Sequence, residues 1–295
     1  MNFRFPAGIF SIAIAAVSAC GQLPDIRDVE PDLSVPAISE NAGPAAGKRV
    51  FVTDEKSGVR FVLYLPTDWK PDAKFPVIIE LPGNGGFKSK LGDECSGRPE
   101  GCKLGYGISG GKGVIWAVLP FLNGEGKAIA ITWWGSKPDH KPDTTVALVK
   151  RVVAQLCADY GGNSERVFLA GFSRGALACN AIGLADDEIA KLWRGMIPYS
   201  HYDGVREGWP YRNAKRTFAL ERLKRLGKTP QFICHEGSAE KISGTRKYLE
   251  STGVTGNFTF RGSGFRNHND GWTLRPSATR KALRAWFWDL AKPGA

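Results

Sequence analysis

Short, nearly unbroken apolar runs alternate along this chain with longer stretches in which apolar residues recur every three or four positions. The first pattern reads as strands buried on both faces and the second as amphipathic helices. Residues 49–53 and 59–65 are β-rich runs around Asp54-Glu55-Lys56-Ser57-Gly58, whose turn residues predict a hairpin. Residues 75–81, closed by Pro82, and residues 127–134 each predict a buried strand. Between them, residues 83–126 are loop-rich and hold an apolar run at 113–122. Residues 144–160 place Val146, Leu148, Val149, Val152, Val153 and Leu156 on one helical face, ending at Gly161-Gly162. Residues 166–184 open with an apolar strand and close with an alanine-rich helical segment. Further on, the pattern predicts strands at 195–200, 231–236 and 257–261. It predicts helices at 186–193, 220–226, 241–250 and 277–291. The alternation predicts an α/β fold, a mostly parallel, doubly wound sheet flanked by helices on both faces.

The junction inside residues 166–184 reads Gly171-Phe172-Ser173-Arg174-Gly175. This is G-x-S-x-G between a buried strand and a helix, the setting in which the motif lifts a serine to the apex of a tight turn. A side chain at either glycine would crowd the adjacent elements. Ser173 is therefore the candidate nucleophile. A serine hydroxyl needs a base to take its proton and an acid to orient that base. His268 stands in a polar loop, residues 264–272, between the last strand and the last helix, and is the candidate base. His235 falls inside a strand and reads as a packed histidine. The acid stays open: Glu240 leads, in the loop after the 231–236 strand, with Glu236 and Asp203 as rivals. Two N–H groups must face the oxygen that becomes negative. The backbone of Arg174 supplies one candidate, and Gly83 or Asn84, in the loop Pro82-Gly83-Asn84-Gly85-Gly86, the other. Trp116, Trp133, Trp134, Trp209, Tyr211 and Trp272 lie in or beside loops at the carboxyl edge of the sheet, where a sugar ring or aryl ester would stack.

The ends and the composition add the cellular setting. Residues 1–20 carry one positive charge at Arg4, then an apolar run too short to span a bilayer, then Ser18-Ala19-Cys20. Val17-Ser18-Ala19-Cys20 resembles the lipobox of bacterial lipoproteins, which implies lipidation of Cys20 and a place in the bacterial cell envelope; an ordinary secretory peptide is the alternative. Residues 21–47, with scattered prolines and acids, read as a flexible tether, leaving 48–295 as one folded domain. The net charge of +11 is dispersed, without an arginine-rich arm or aromatic RNA-binding motif, so nucleic acid is not the expected partner. It equally suits anionic lipid headgroups or acidic polysaccharides. Cys95 and Cys102 share one glycine-rich loop, and an oxidising compartment would allow them to form a disulfide. No cysteine or histidine spacing fits zinc, and Gly107–Gly113 lacks the residues of a phosphate loop.

The passages at 76–86 (PVIIELPGNGG), 146–175 (ending GGNSERVFLAGFSRG) and 265–272 together make the chain resemble the α/β-hydrolase superfamily. Within it the likeness is to secreted esterases such as polyhydroxybutyrate depolymerase and feruloyl or acetylxylan esterases. The resemblance covers residues 49–291 and implies Ser173 as nucleophile, His268 as base, and Arg174 with Gly83 and Asn84 as oxyanion donors. Glutamate at the post-strand acid position departs from the pattern. The expectation is a serine hydrolase cleaving small or polymeric carboxylic esters through an acyl-serine intermediate, with no cofactor or metal and with membrane contact through a lipid anchor. A serine peptidase of the same fold, and a non-catalytic lipoprotein holding a glycan or lipid, are the alternatives.

Overall fold

The computed structural model describes residues 22–292 and residue 294, so the leader segment and Cys20 lie outside the described residues. The chain opens its sheet with β1 (Arg49–Thr53), β2 (Arg60–Tyr64) and β3 (Phe75–Leu81). A small hairpin of β4 (Phe87–Lys88) and β5 (Glu94–Cys95) follows, then α1 (Leu104–Ser109) and β6 (Ile115–Val118). Next come α2 (Asp143–Asp159), β7 (Gly162–Phe172), α3 (Arg174–Ala181), α4 (Asp187–Ala190) and β8 (Trp193–Tyr199). The last part holds α5 (Arg216–Lys224), β9 (Gln231–His235), α6 (Ser243–Thr252), β10 (Phe258–Gly262) and α7 (Ala278–Ala291). The main sheet has eight strands in the order β1-β2-β6-β3-β7-β8-β9-β10. The β1–β2 and β2–β6 joins are antiparallel and the rest are parallel.

Period-two alternation divides the core. On β3, Val77, Ile79 and Leu81 face a core shared with Val149 and Leu156 of α2 and Leu177 of α3. Ile78 faces the opposite core, built with Leu104 and Ile108 of α1 and Leu283 and Phe287 of α7. Helices therefore cover both faces, as the sequence pattern predicts. One residue of the β3 run is charged. Glu80 is fully buried and accepts hydrogen bonds from Leu104 N (3.1 Å), Gly105 N (2.8 Å) and Trp116 Nε1 (2.8 Å). Burial, with the nearby Asp270 charge, pushes its carboxyl up to about 7 against the pull of those donors.

Two expectations are corrected. Residues 127–134 are not a strand; β6, from the run at 113–122, takes the place between β2 and β3. The 127–134 segment instead loops across the carboxyl edge of the sheet, where Trp133 has φ +57°. Its backbone finds partners off the sheet, with Ala130 N donating to Phe121 O (2.8 Å) and Trp133 N to Asn84 Oδ1 (2.7 Å). Nor do residues 22–47 behave as a loose tether. Ile26 is buried, its N–H donates to Asn267 Oδ1 (2.7 Å), and Arg275 Nε donates to Val29 O (2.7 Å). Two of the acids that suggested a solvated segment are matched by arginines near the other end of the chain: Asp25 pairs with Arg266, and Asp32 with Arg280. The segment is an arm docked on the body. Replacing Ile26 by Ala is expected to lower stability by about 2–4 kcal/mol in urea unfolding, whereas an undocked arm would leave the midpoint unchanged.

Candidate active site

β7 lies in the middle of the parallel sheet, between β3 and β8, and carries the chain straight into α3. Ser173 is the single residue between them, with φ +55° and ψ −112°. A β-carbon on Gly171 would sit 2.2 Å from Gly175 O, and one on Gly175 would sit 2.0 Å from Leu81 O. No L side chain fits either place, so both glycines are required by close approach. A non-glycine residue in such a conformation costs roughly 1–3 kcal/mol, which the flanking sheet and helix must sustain. Ser173 N donates to Tyr199 O (2.9 Å), pinning the turn to β8.

Around this serine the loops bring together a chain of polar groups. His268 Nε2 lies 3.0 Å from Ser173 Oγ, and His268 Nδ1 lies 2.6 Å from Glu236 Oε1. The carboxylate fixes the tautomer: Nδ1–H donates to Glu236, which leaves Nε2 to accept the serine proton. Ser200 Oγ is 3.0 Å from the same Nδ1 and also hydrogen-bonds Glu236. Burial raises the Glu236 pKa, but the hydrogen bond and charge of His268, helped by Ser200, outweigh it and bring it down to about 2. The arrangement can therefore hold a negative charge behind the imidazole across the physiological range.

The leading sequence candidate for the acid is thus corrected. Glu240 is exposed and its carboxylate accepts from Ser238 Oγ (3.0 Å); the chain turns there into a short 3-10 helix, Ala239–Ile242, that carries it away from His268. Asp203 is buried elsewhere, against Arg222 (2.8 Å) and Tyr211 Oη (2.6 Å). Glu236, placed at the end of β9 and parallel to β8, is the one of the three that meets the imidazole.

Several residues that hold His268 were invisible in the sequence pattern. Asp93 Oδ1 accepts from His268 N (2.7 Å) and Glu94 N donates to His268 O (3.1 Å), so the β4–β5 hairpin grips the histidine by its backbone. Phe172 and Phe87 pack on the ring, at 4.6 and 5.8 Å between centroids. Ser200 carries φ +95° at the end of β8, a second strained serine facing the imidazole. A serine closing a predicted strand was its only signal. His201 lies next to it, 5.7 Å from the His268 ring, and burial followed by the neighbouring His268 charge lowers its pKa to about 4. It is neutral at pH 7.

The expected disulfide is absent. Cys95 and Cys102 are both free and buried, and burial raises both thiol pKa values. Cys95 Sγ packs where a β-carbon on Gly83 would be, at 2.3 Å, whereas Cys102 Sγ approaches Arg98 O at 3.7 Å. The two thiols serve different contacts. Gly83 is consequently held tight against the elbow, since the same β-carbon would lie 3.4 Å from Ser173 Cβ.

A cavity of about 220 Å³ opens over Ser173, walled by Asn84, Phe87, Trp133, Leu177, His201 and Trp209. Larger cavities of about 610 and 480 Å³ lie beneath the arm and beside α5, and neither includes Ser173. Of the six aromatic residues singled out by sequence, Trp133 and Trp209 face the Ser173 cavity, with ring centroids 5.4 Å apart. Trp116, Trp134 and Trp272 are buried in the body. Arg174 plays an additional part. Its guanidinium is buried, donates to Ala130 O (3.0 Å) and Trp133 O, and lies 4.1 Å from the centroid of the Phe121 ring. It thereby holds the loop that carries Trp133. Arg174 N is the first amide of α3, a position with no partner inside the helix.

No family model matches the chain, and no curated protein matches it in sequence. Solved structures match it in shape. An S-formylglutathione hydrolase from Agrobacterium tumefaciens gives a TM-score of 0.53 at 12% identity, over 84% of this chain and 94% of that one. The Staphylococcus aureus fluorophosphonate-binding serine hydrolase FphF gives 0.52 at 13% identity, over 85% and 100%. Esterase Est22 with p-nitrophenol gives 0.52 at 19% identity, over 83% and 80%. The chain spans 62% of the length of another match, a thermostable esterase. This chain has the α/β-hydrolase fold.

Two outcomes are expected of the acid. Glu236→Gln lowers the rate at which Ser173 reacts with a fluorophosphonate by about 10²–10⁴-fold, while Glu240→Gln leaves it unchanged. The folded pKa of Glu236 is about 2 and its ordinary value 4.5, so the unfolded chain takes up the proton first as pH falls. The stability advantage of wild type over Glu236→Gln is then flat above about pH 4.5 and disappears as pH falls through about 2 in pH-resolved unfolding curves.

Proposed function

We propose that the protein is a serine hydrolase acting on carboxylic esters through an acyl-serine intermediate. The observation that carries this is the unbroken relay of Ser173 Oγ, His268 and Glu236, with contacts of 3.0 and 2.6 Å, on a strained turn at the mouth of a cavity. His268 takes the serine proton as Ser173 attacks the ester carbonyl, and returns it to the departing alcohol oxygen. Glu236 stabilises the imidazolium that forms in between. Arg174 N, with Gly83 or Asn84 N, receives the negative oxygen of the tetrahedral intermediate. A water molecule then repeats the cycle on the acyl-serine. A non-catalytic binding protein would have no use for a serine held at φ +55° against a histidine, and that strain favours the enzyme.

The cavity over Ser173 is small and apolar on most sides, which suits a short acyl chain or a small ring. The esterase and serine hydrolase matches lend weight to an ester substrate. The lipobox-like Val17-Ser18-Ala19-Cys20 supports placing the enzyme in a bacterial envelope, held by a lipid on Cys20.

Hydrolysis of p-nitrophenyl esters tests the proposal. Wild type is expected to turn over acetate and butyrate, with kcat/KM falling as the acyl chain outgrows the cavity. Ser173→Ala and His268→Ala are each expected to lose at least about 10³-fold. Equal rates for wild type and Ser173→Ala would overturn the assignment.

A further inference from the structure

Among the described residues, exposed large apolar side chains are few and unevenly placed. Among the described residues four large apolar side chains are exposed: Phe87 (40%), Leu91 (65%), Phe218 (44%) and Trp288 (38%). The most exposed of them and Phe87 stand four residues apart on the β4–β5 hairpin. Leu91 is held out by an ordered turn, in which Leu91 N and Asp93 N both donate to Ser89 Oγ, at 3.1 and 3.2 Å. A fixed, projecting leucine beside a half-exposed phenylalanine marks a contact surface better than it marks a folding need.

The charges around these residues are mostly positive. Lys88 and Lys90 flank them, both exposed and in no ion pair among the described residues. Arg27 and Arg266 reach the same edge with side chains 55% and 41% exposed, sharing a single buried carboxylate, Asp25. The nearby Asp93 is occupied by His268 N and Ser89 Oγ. Asp28, on the arm, is the exposed acid closest to Arg27 in the chain. Arg27 donates to Lys90 O (2.9 Å), and Asn269 Nδ2 donates to Gly92 O (3.0 Å). Arm, hairpin tip and histidine loop therefore form one edge. Phe87 links that edge to the mouth of the Ser173 cavity, because it both stacks on His268 and lines the cavity.

The arm also says what reaches this edge. Only four residues separate Cys20 from the docked Asp25, so the five steps between them span at most about 18 Å of extended chain. Asp25, from which that stretch departs, sits on the side of the molecule that carries the hairpin tip, paired with Arg27 and Arg266. No helix among the described residues is long and apolar enough to cross a membrane, so contact here would be made by a surface.

We propose that the edge formed by Phe87, Lys88, Lys90, Leu91, Arg27 and Arg266 docks on an anionic lipid bilayer and turns the mouth of the Ser173 cavity toward it. Leu91 and Phe87 enter the headgroup region while the four cations face lipid phosphates. The orientation of the mouth rests on the hydrolase reading above; the docking itself does not.

Vesicle co-sedimentation tests this on the chain starting at Gly21, which keeps every contact described here and lacks Cys20. The probes are phosphatidylcholine vesicles with and without phosphatidylglycerol. Wild type is expected to sediment with the anionic vesicles and to be released by high salt. Leu91→Ser lowers binding about tenfold, and Lys88→Glu and Lys90→Glu each lower it about fivefold or more on anionic vesicles only. Phe218→Ser, on α5, leaves it unchanged. Absence of wild-type binding, or an equal loss in Phe218→Ser, would overturn the proposal. So would a concentration-dependent dimer in sedimentation that Leu91→Ser abolishes, since the edge would then meet a second copy of the chain. Hydrolysis of soluble p-nitrophenyl acetate is expected to survive in Leu91→Ser, which separates lost docking from lost fold. Vesicle binding in a protein without esterase activity would uphold the docking and remove the hydrolase reading alone.

Discussion

Gly171 and Gly175 are squeezed between the end of β7, the start of α3 and the carbonyl of Leu81 on the neighbouring strand. Because neither position can hold a β-carbon, the chain turns there without room to relax, and Ser173 is left in a conformation that no helix or strand would give it. The opposing strands β3 and β8 fix the turn from both sides, one through the crowded carbonyl and the other through Tyr199 O. The chain enters α3 at the next residue, so Arg174 N, the first amide of the helix, follows the serine directly. A buried parallel sheet can bear such local strain because its strands are locked by core packing on both faces.

The histidine has a different problem. It sits in a loop, and a loop backbone needs partners for each polar group that it buries. Those partners come from distant parts of the chain: Asp93 and Glu94 from the hairpin, the Asp25–Ile26 arm through Arg266 and Asn267, and Tyr199 Oη, 3.4 Å from Asn267 O. Other loops are tied in the same way by single buried ionisable side chains. Arg174 gathers the carbonyls of Ala130 and Trp133, and Glu80 gathers the amides that open α1. Each of these buried side chains is met by backbone and indole dipoles in place of an opposite charge. The site is thus a rigid elbow on the sheet, closed by loops that polar struts hold in place.

Strands and helices were legible where periodicity is strong. β3 has the bounds the apolar run implies, and α2 and α7 agree to within a residue, since each has one clear apolar face. The elbow was legible because its glycines answer to a steric need that the sequence itself displays. What escaped the pattern depends on long-range pairing. Residues 127–134 are apolar enough for a strand, yet Arg174 and Asn84 take their backbone groups and keep them out of the sheet. The arm looked solvated because Arg266 and Arg280, which match its Asp25 and Asp32, lie more than two hundred residues away. The choice between Glu236 and Glu240 turns on where β9 ends and a short helix begins, a boundary that periodicity does not fix to a residue.

The most direct test of the relay is intact-mass measurement after exposure to a fluorophosphonate, followed by peptide mapping. A single adduct per chain, located on Ser173 and lost in His268→Ala, is the result that the geometry requires. An unmodified wild-type chain, or an adduct on any other residue, would contradict it.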